Sequence, residues 1–105
     1  MPIIRDVNSK EKVTNDQGGM QSYLPYRFDL IPKETLFEIA RVFKEGANTY
    51  GVDNWKLISA TDHINHALSH IYAQLAGDSQ DDHMIHALCR LFMADWLIRE
   101  QEKGE

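Results

Sequence analysis

Residues 88–98, LCRLFMADWLI, restrict the fold of this chain more than any other stretch. Apolar side chains occupy almost every face of a helix drawn over this segment, which predicts a helix packed on several sides. The periodicity of the flanking residues extends that helix over 81–101. The apolar run is much shorter than a membrane span, which needs about 20 residues, so we expect a core helix in a protein that does not engage a membrane.

Asp95 interrupts this apolar helix. It shares a helical face with Met84, Leu88 and Leu91, and a buried carboxylate is costly unless it is paired or bound to a metal ion. We therefore expect Asp95 to form a buried ion pair with an arginine, or a polar contact that sets the register of an oligomer.

Two further segments have helical periodicity. The first covers residues 33–45, with Pro32 before it and Gly46 as its expected end. The second covers residues 61–76, with Ser59 or Thr61 as its N-cap and Gly77 as its end. An apolar stripe and a histidine stripe lie side by side on this second helix: Ile64, Leu68, Ile71 and Leu75, next to His63, His66 and His70.

The predicted class is all-α, because no segment alternates in the manner of a strand. We expect a polar arm over residues 1–20, then a single domain over 21–105 that begins with an extended aromatic segment over 21–32. The chain has 105 residues, of which 43% are hydrophobic. This is enough for only a small core of three main helices, so we expect a homodimer or homotetramer to complete it.

The charge and the cysteine content restrict partners and compartment. The net charge of −5 argues against nucleic-acid binding, which needs a basic face. The single cysteine, Cys89, excludes an internal disulfide framework and is typical of a reducing cytoplasm.

Glu34 and Glu38 lie one turn apart on the first predicted helix. Like charges at this spacing repel, and a divalent cation such as Mg²⁺ between the carboxylates would reverse that penalty. The alternative is a solvated face with Arg41 as a neighbouring countercharge. If the two acids are functional, another subunit or the aromatic segment has to cover them.

A second candidate cluster lies at the connection between the second and third helices. If these helices are antiparallel, the short GDSQ connection brings Asp78, Asp82 and His86 close to His70. The alternative is that Asp81 or Asp82 caps the third helix. The histidine stripe has two further interpretations, a transition-metal site or a set of hydrogen-bonding groups between helices.

Three stretches carry a resemblance in their order and spacing: RFDLIPKETLFEIARVFKEGANTYGVDNW, ALSHIYAQLAGD and DDHMIHALCRLF. Together they resemble the phage dATP/dGTP diphosphohydrolase family, which belongs with the all-α, MazG-like nucleotide pyrophosphohydrolases. The likeness covers residues 27–95. It implies hydrolysis of a purine deoxynucleoside triphosphate to the monophosphate and pyrophosphate, with Mg²⁺ or Mn²⁺, in the cytoplasm (the host cytoplasm if a phage encodes the chain).

MazG-like enzymes hold their metals with an EExxE block followed by ExxD. Here Glu34, Thr35 and Glu38 give an incomplete first block, and no ExxD follows. The resemblance implies Glu34 and Glu38 as catalytic and metal-binding residues. The nearest substitutes for the missing block are Asp62 with Asn65, or the cluster of His70, Asp82 and His86.

Residues 45–56, EGANTYGVDNWK, are expected to end the first helix and to present side chains to the nucleotide. Tyr50 and Trp55 would stack on the base, and Asn54 would hydrogen-bond to its edge or to the sugar. The alternative for Trp55 is a plug in the core. The basic residues placed to meet the triphosphate are Arg27, Lys33, Lys44 and Lys56, of which Lys44 is better explained as surface charge.

A function from another class stays open at this point. The incomplete metal motif and the acidic composition also suit a non-catalytic helical module that binds a protein partner.

Overall fold

The computed structural model describes residues 11–104. They form two compact units, one that ends at Pro32 and one that begins at Lys33. The second unit contains three long helices, which confirms the predicted helical bundle. Within residues 11–104, none of the helices combines the length and apolar character needed to cross a membrane. The first ten residues of the predicted arm lie outside the described residues.

The first unit contains a small hairpin that the sequence analysis did not predict. Strands β1 (Lys12–Thr14) and β2 (Met20–Ser22) pair in antiparallel fashion. The side chain of Asn15 closes the turn by accepting hydrogen bonds from the N–H groups of Gln17 and Gly19, at 3.0 and 2.8 Å. The expectation of no strand was wrong because this hairpin depends on turn chemistry and not on a long alternating pattern.

Helix α1 (Lys33–Tyr50) continues beyond its predicted end. Gly46 does not end the helix, since a glycine within a helix costs only about 1 kcal/mol relative to alanine. The helix ends at Gly51, where φ is +98° and the N–H donates to the carbonyl of Ala47 at 2.9 Å. The prediction that residues 46–50 form a loop was therefore wrong.

The other two helices lie close to their predicted positions. Helix α2 (Ala60–Leu75) begins after Ser59, whose Oγ accepts a hydrogen bond from the N–H of Asp62 at 3.1 Å. Gly77, with φ of +84°, follows the end of α2 as expected. Helix α3 (His83–Lys103) begins two residues later than predicted and ends two residues later.

Helix α3 packs against both α1 and α2. Ile39 of α1 is buried with Ile85 and Cys89 of α3. The buried residues Ala67 of α2 and Ala94 of α3 have small side chains, which allow neighbouring backbones to approach closely. Six buried hydrophobic side chains form the core of the described chain: Ile39, Ala67, Ile85, Ala87, Cys89 and Ala94.

The buried face of α2 is not the one that its apolar stripe predicted. His63 and Ala67 are buried, whereas Leu68 and Leu75 are 42% and 76% exposed. Helix α3 is also less buried than predicted. Phe92 is half exposed, although the sequence predicted burial of this helix on several sides. In a single copy of the chain, the helices therefore leave part of their apolar surface uncovered.

The structure also corrects the expectation for Asp95. Its carboxylate accepts a hydrogen bond from Nε of Arg99 at 2.7 Å, so the predicted arginine partner is present. The Asp95 side chain is exposed, however, and the pair is a surface contact one turn apart on the same helix. Such pairs contribute little to stability.

Candidate functional site

A cavity of about 680 Å³ opens between the C-terminal half of α1, the connection over residues 51–58 and the middle of α3. Cavities of several hundred Å³ are of the size that binds small ligands. The walls are largely apolar, with a few polar groups. The lining residues are Val42, Phe43, Glu45, Gly46, Ala47, Thr49, Tyr50, Gly51, Val52, Asp53, Asn54, Trp55, Ile58, His86, Cys89, Arg90 and Met93.

Two residues with positive φ shape the connection that forms one wall. Gly51 has φ of +98° and Asp53 has φ of +64°, and together they reverse the chain after α1. A short 3₁₀ helix, Asn54–Leu57, follows. Tyr50, the last residue of α1, and Asn54, the first residue of this 3₁₀ helix, both line the cavity.

Trp55 lies between the cavity and an aromatic cluster. Its indole lines the cavity, and it also packs edge-to-face against Phe43 and Trp96, with ring centroids 6.2 and 5.3 Å apart. Lys56 Nζ lies 4.5 Å from the Trp96 ring centre and 3.4 Å from the carboxylate of Asp53. The ammonium group of Lys56 is therefore already engaged by neighbouring groups.

His63 is fully buried and hydrogen-bonded through both ring nitrogens. Its Nε2 lies 2.9 Å from the carbonyl oxygen of Trp55, and its Nδ1 lies 3.1 Å from Nη1 of Arg90. A carbonyl can only accept and a guanidinium can only donate, so the ring carries its proton on Nε2. Both nitrogens are thus occupied, which leaves no lone pair for a metal ion.

Arg90 lines the cavity from α3. One of its terminal nitrogens is held by His63, a neutral acceptor. Among residues 11–104, no carboxylate lies within ion-pair distance of its guanidinium. The fold therefore positions the Arg90 guanidinium at the cavity without a direct ion pair, while Glu45 and Asp53, which also line the cavity, are paired with Arg41 and Lys56. An unpaired guanidinium of this kind can bind an anion.

A histidine and aspartate cluster lies where α2 meets the start of α3. The Nδ1 atoms of His70 and His83 are 2.9 Å apart, and Nε2 of His83 donates to Asp78 at 2.5 Å. Partial burial lowers the pKa of His70, and the hydrogen bond from His83 lowers the pKa of Asp78. Ligand atoms of His70, Asp81 and His83 lie within 4.8 Å of one another, which is close enough to share one metal ion.

His86 connects this cluster with the cavity. Its ring stacks on that of His70 with centroids 5.3 Å apart, and its Nε2 lies 3.2 Å from a carboxylate oxygen of Asp81. The same residue lines the cavity. The sequence analysis brought His86 and His70 together correctly. It chose Asp82 where the structure places Asp81: the backbone carbonyl of Asp82 accepts the N–H of His86, as expected for a residue at the start of the helix.

The predicted acidic pair lies on an exposed stripe of α1. Arg41 Nε donates to Glu38 at 2.6 Å, and Nη1 of the same side chain donates to Glu45 at 2.8 Å. Glu34 lies one turn before Glu38, and Glu45 reaches the cavity wall. With three carboxylates and one guanidinium, the stripe of Glu34, Glu38, Arg41 and Glu45 has a formal charge of −2.

The remaining predicted residues are not part of the cavity lining. Arg27, in the first unit, forms an exposed ion pair with Asp29 at 2.8 Å. Lys33 is the exposed first residue of α1. His66 is exposed on α2, apart from the buried face that carries His63. The histidine stripe is thus divided between a buried structural residue, an exposed residue and a member of the new cluster.

Sequence reasoning did not select Arg90, Asp81 or His83 as site residues, and it considered His63 only as a member of the histidine stripe. The four-residue spacing of Asp82, His86 and Arg90 was visible, and it points to the helix face that the structure turns towards the cavity. The partners of His63 were not visible, because Trp55 and Arg90 belong to other elements and meet the histidine only in the folded chain.

Comparison with known protein families gives a match over most of the chain. The family model described as "dATP/dGTP diphosphohydrolase, N-terminal" matches residues 15–105. Searches of curated proteins and of solved structures returned no match to this chain.

Proposed function

Because the chain belongs to the dATP/dGTP diphosphohydrolase N-terminal family, we propose that its helical unit hydrolyses dATP or dGTP to the deoxynucleoside monophosphate and pyrophosphate. The observation that carries the proposal is the cavity with Arg90 on its wall. It combines nucleotide-compatible volume with the Arg90 guanidinium, which has no carboxylate within ion-pair distance among residues 11–104.

Arg90 is the proposed ligand of the triphosphate. A guanidinium offers several N–H donors in one plane and binds phosphate oxygens in pairs. His63 occupies one of these donors and restrains the side chain, so that little rotational freedom remains to be lost when a phosphate binds. Lys33, the first residue of α1, is proposed as an additional phosphate contact.

Tyr50 and Asn54 are the proposed contacts to the nucleoside. The Tyr50 side chain is 72% exposed at the cavity, so its ring is accessible for stacking on a purine. The Asn54 amide has both donor and acceptor atoms for the base edge or the sugar. Trp55 forms part of the cavity wall, and its contacts with Phe43 and Trp96 hold it in place. Lys56 contributes by packing against this aromatic group.

The proposed reaction uses Mg²⁺ or Mn²⁺, and the acidic stripe of α1 suits such an ion. Mg²⁺ in nucleotide-hydrolysing sites is bound through one or two carboxylates together with substrate phosphates. Glu34 and Glu38 supply the carboxylates, and the formal charge of −2 on the stripe attracts a cation. A bound ion would stabilise the charge on the departing pyrophosphate. Glu45 continues the same stripe to the cavity wall.

A second copy of the chain is proposed to complete the core. Six buried hydrophobic side chains, three of them alanine, are few for the described chain. The exposed apolar stripe of α2, which includes Leu68 and Leu75, is a suitable contact surface for a homodimer. Light scattering should give a mass of at least two chains, and Leu68→Lys should reduce it to that of one.

The decisive experiment is a product assay. The full chain is incubated with each of the four deoxynucleoside triphosphates and either Mg²⁺ or Mn²⁺, and the products are separated by ion-exchange chromatography. We expect dGMP or dAMP together with pyrophosphate. Release of inorganic triphosphate, or no turnover of any nucleotide, would contradict the proposal. The second of these outcomes would favour the non-catalytic interaction module.

The role of the acidic stripe is tested with Glu38→Gln. This variant should lose most of the Mg²⁺-dependent activity. Glu100→Gln is the matched control, since Glu100 also forms an exposed ion pair at three-residue spacing but lies near the end of α3. Equal activity in the two variants would remove Glu38 from the site.

A further inference from the structure

We infer that His70, His83 and Asp81 form a binding site for a nitrogen-preferring transition-metal ion such as Zn²⁺, separate from the acidic stripe of α1. The site goes beyond the proposed function, because it is defined by its own ligands and can be tested without nucleotide. Imidazole nitrogens favour Zn²⁺ and related ions, whereas Mg²⁺ prefers oxygen ligands.

The spacing of the two imidazoles fits a shared ion. The Nδ1 atoms of His70 and His83 are 2.9 Å apart. Two nitrogens bound to Zn²⁺ at about 2.0–2.1 Å in a tetrahedral arrangement lie roughly 3.3 Å apart. A shift of a few tenths of an ångström therefore converts the observed contact into a pair of metal ligands, with Asp81 as the third.

The proton positions allow this conversion. His83 donates from Nε2 to the carboxylate of Asp78, so its Nδ1 has a lone pair in the neutral ring. In the metal-free protein, His70 donates from Nδ1 to that lone pair. When a cation binds, the proton of His70 moves to its own Nε2. Both Nδ1 lone pairs are then available to the ion.

Two of the three ligands have outer partners that orient them. Asp78 accepts from His83, which gives the carboxylate–histidine pair commonly found behind metal ligands. His86 contacts Asp81 at 3.2 Å. His83 is itself buried, 8% exposed, which excludes competing water from much of its surface. Exposed acidic groups that meet by chance lack this arrangement.

With three protein ligands, the ion keeps a position for water or for an anionic group. His86 joins the cluster to the cavity, since it contacts Asp81, stacks on His70 and lines the cavity wall. A metal at this place lies next to the nucleotide cavity without forming part of its lining.

Metal binding is measured on the full chain after chelator treatment, without nucleotide. We expect Zn²⁺ to bind at one equivalent per chain in calorimetry, and Co²⁺ to give visible absorption bands at the same site. His70→Gln and His83→Gln should each lower the Zn²⁺ affinity at least about tenfold. Asp78→Asn should lower it about 10–100-fold, although Asp78 does not contact the ion.

His66→Gln is the matched control, because His66 lies on the same helix but is exposed and outside the cluster. It should bind Zn²⁺ like the parent chain. If His83→Gln does not fold, as circular dichroism will show, Asp81→Asn replaces it, since Asp81 is a partly exposed ligand. Absence of Zn²⁺ binding, or undiminished binding in the ligand variants, would overturn the inference. A protein that fails to hydrolyse nucleotide would not by itself overturn the inference, because Zn²⁺ binding is measured without nucleotide.

Discussion

Arg90 donates from Nη1 to Nδ1 of His63 across 3.1 Å, and this contact joins α3 to the buried face of α2. The same imidazole donates to the carbonyl of Trp55, so one histidine satisfies groups from two other elements. His63 is 0% exposed. His63 and Arg90 therefore connect α2 with α3 and with the connection that forms one wall of the cavity.

Replacement of His63 by alanine should destabilise the fold. The variant leaves a cavity, and it leaves the Trp55 carbonyl without its partner, so we expect a loss of about 3 kcal/mol in the free energy of unfolding. Urea unfolding at fixed protein concentration measures this. His66→Ala, on the exposed side of the same helix, should change stability by less than about 0.5 kcal/mol. Equal effects of the two variants would contradict a structural role for His63.

Replacement of Arg90 by glutamine should weaken the interaction with nucleotide more than it weakens the fold. Loss of a charged hydrogen bond to phosphate corresponds to about 1.5–3 kcal/mol, or roughly a 10–150-fold decrease in kcat/KM for the preferred nucleotide. Arg90→Lys keeps a positive charge, so its kcat/KM should lie between that of the parent chain and that of Arg90→Gln.

Arg99→Gln is the control for Arg90. It removes an arginine from the same helix, where it pairs with Asp95 at the surface, and should leave kcat/KM unchanged. An Arg90→Gln protein with normal kcat/KM would show that the triphosphate binds elsewhere.

Substitutions at Gly46 should affect the free energy of unfolding and the KM for nucleotide in different ways. It lies within α1 and lines the cavity, and a Cβ placed there has no atom within 4 Å. Gly46→Ala should raise the free energy of unfolding by about 0.5–1 kcal/mol, because alanine favours the helix. Gly46→Leu should keep much of this gain but raise KM, since its side chain occupies cavity space. Stability is measured by urea unfolding and KM by the product assay.

Gly51 provides the contrasting glycine. Its φ of +98° is disfavoured for other residues, so Gly51→Ala should destabilise the protein by about 1–2 kcal/mol even though the position is open.

The Gly46→Leu variant also tests the position of the nucleotide site. If this variant has an unchanged KM, the cavity is not the nucleotide site.

Cys89 should be protected from thiol reagents and should influence stability at high pH. Burial raises the pKa of the Cys89 thiol to about 11 from an ordinary value of 9.0, while Arg41 and Arg90 partly oppose this. The unfolded chain therefore loses the thiol proton first, and stability should fall as pH rises from about 9 to about 11. Cys89→Ala should lack this part of the decrease in thermal scans. Rapid labelling of the folded protein near neutral pH would contradict the burial.

The sequence by itself determined the helical class, the approximate positions of α2 and α3, and the family, because periodicity, capping residues and local motifs depend on neighbours in the chain. It also placed Tyr50, Asn54 and Trp55 in one segment. The end of α1 was misjudged, since two glycines compete for it and only Gly51 adopts the positive φ that ends the helix.

Only the tertiary structure decided which face of α2 is buried and which polar groups meet. A hydrophobic pattern favours Leu68 over His63 for the core, but the hydrogen bonds of His63 to Trp55 and Arg90 offset the cost of burying an imidazole. In the same way, His70 and His83 lie thirteen residues apart and meet because α2 and α3 pack side by side. Such contacts between elements leave no periodic trace in the sequence, and they define both the cavity and the histidine and aspartate cluster.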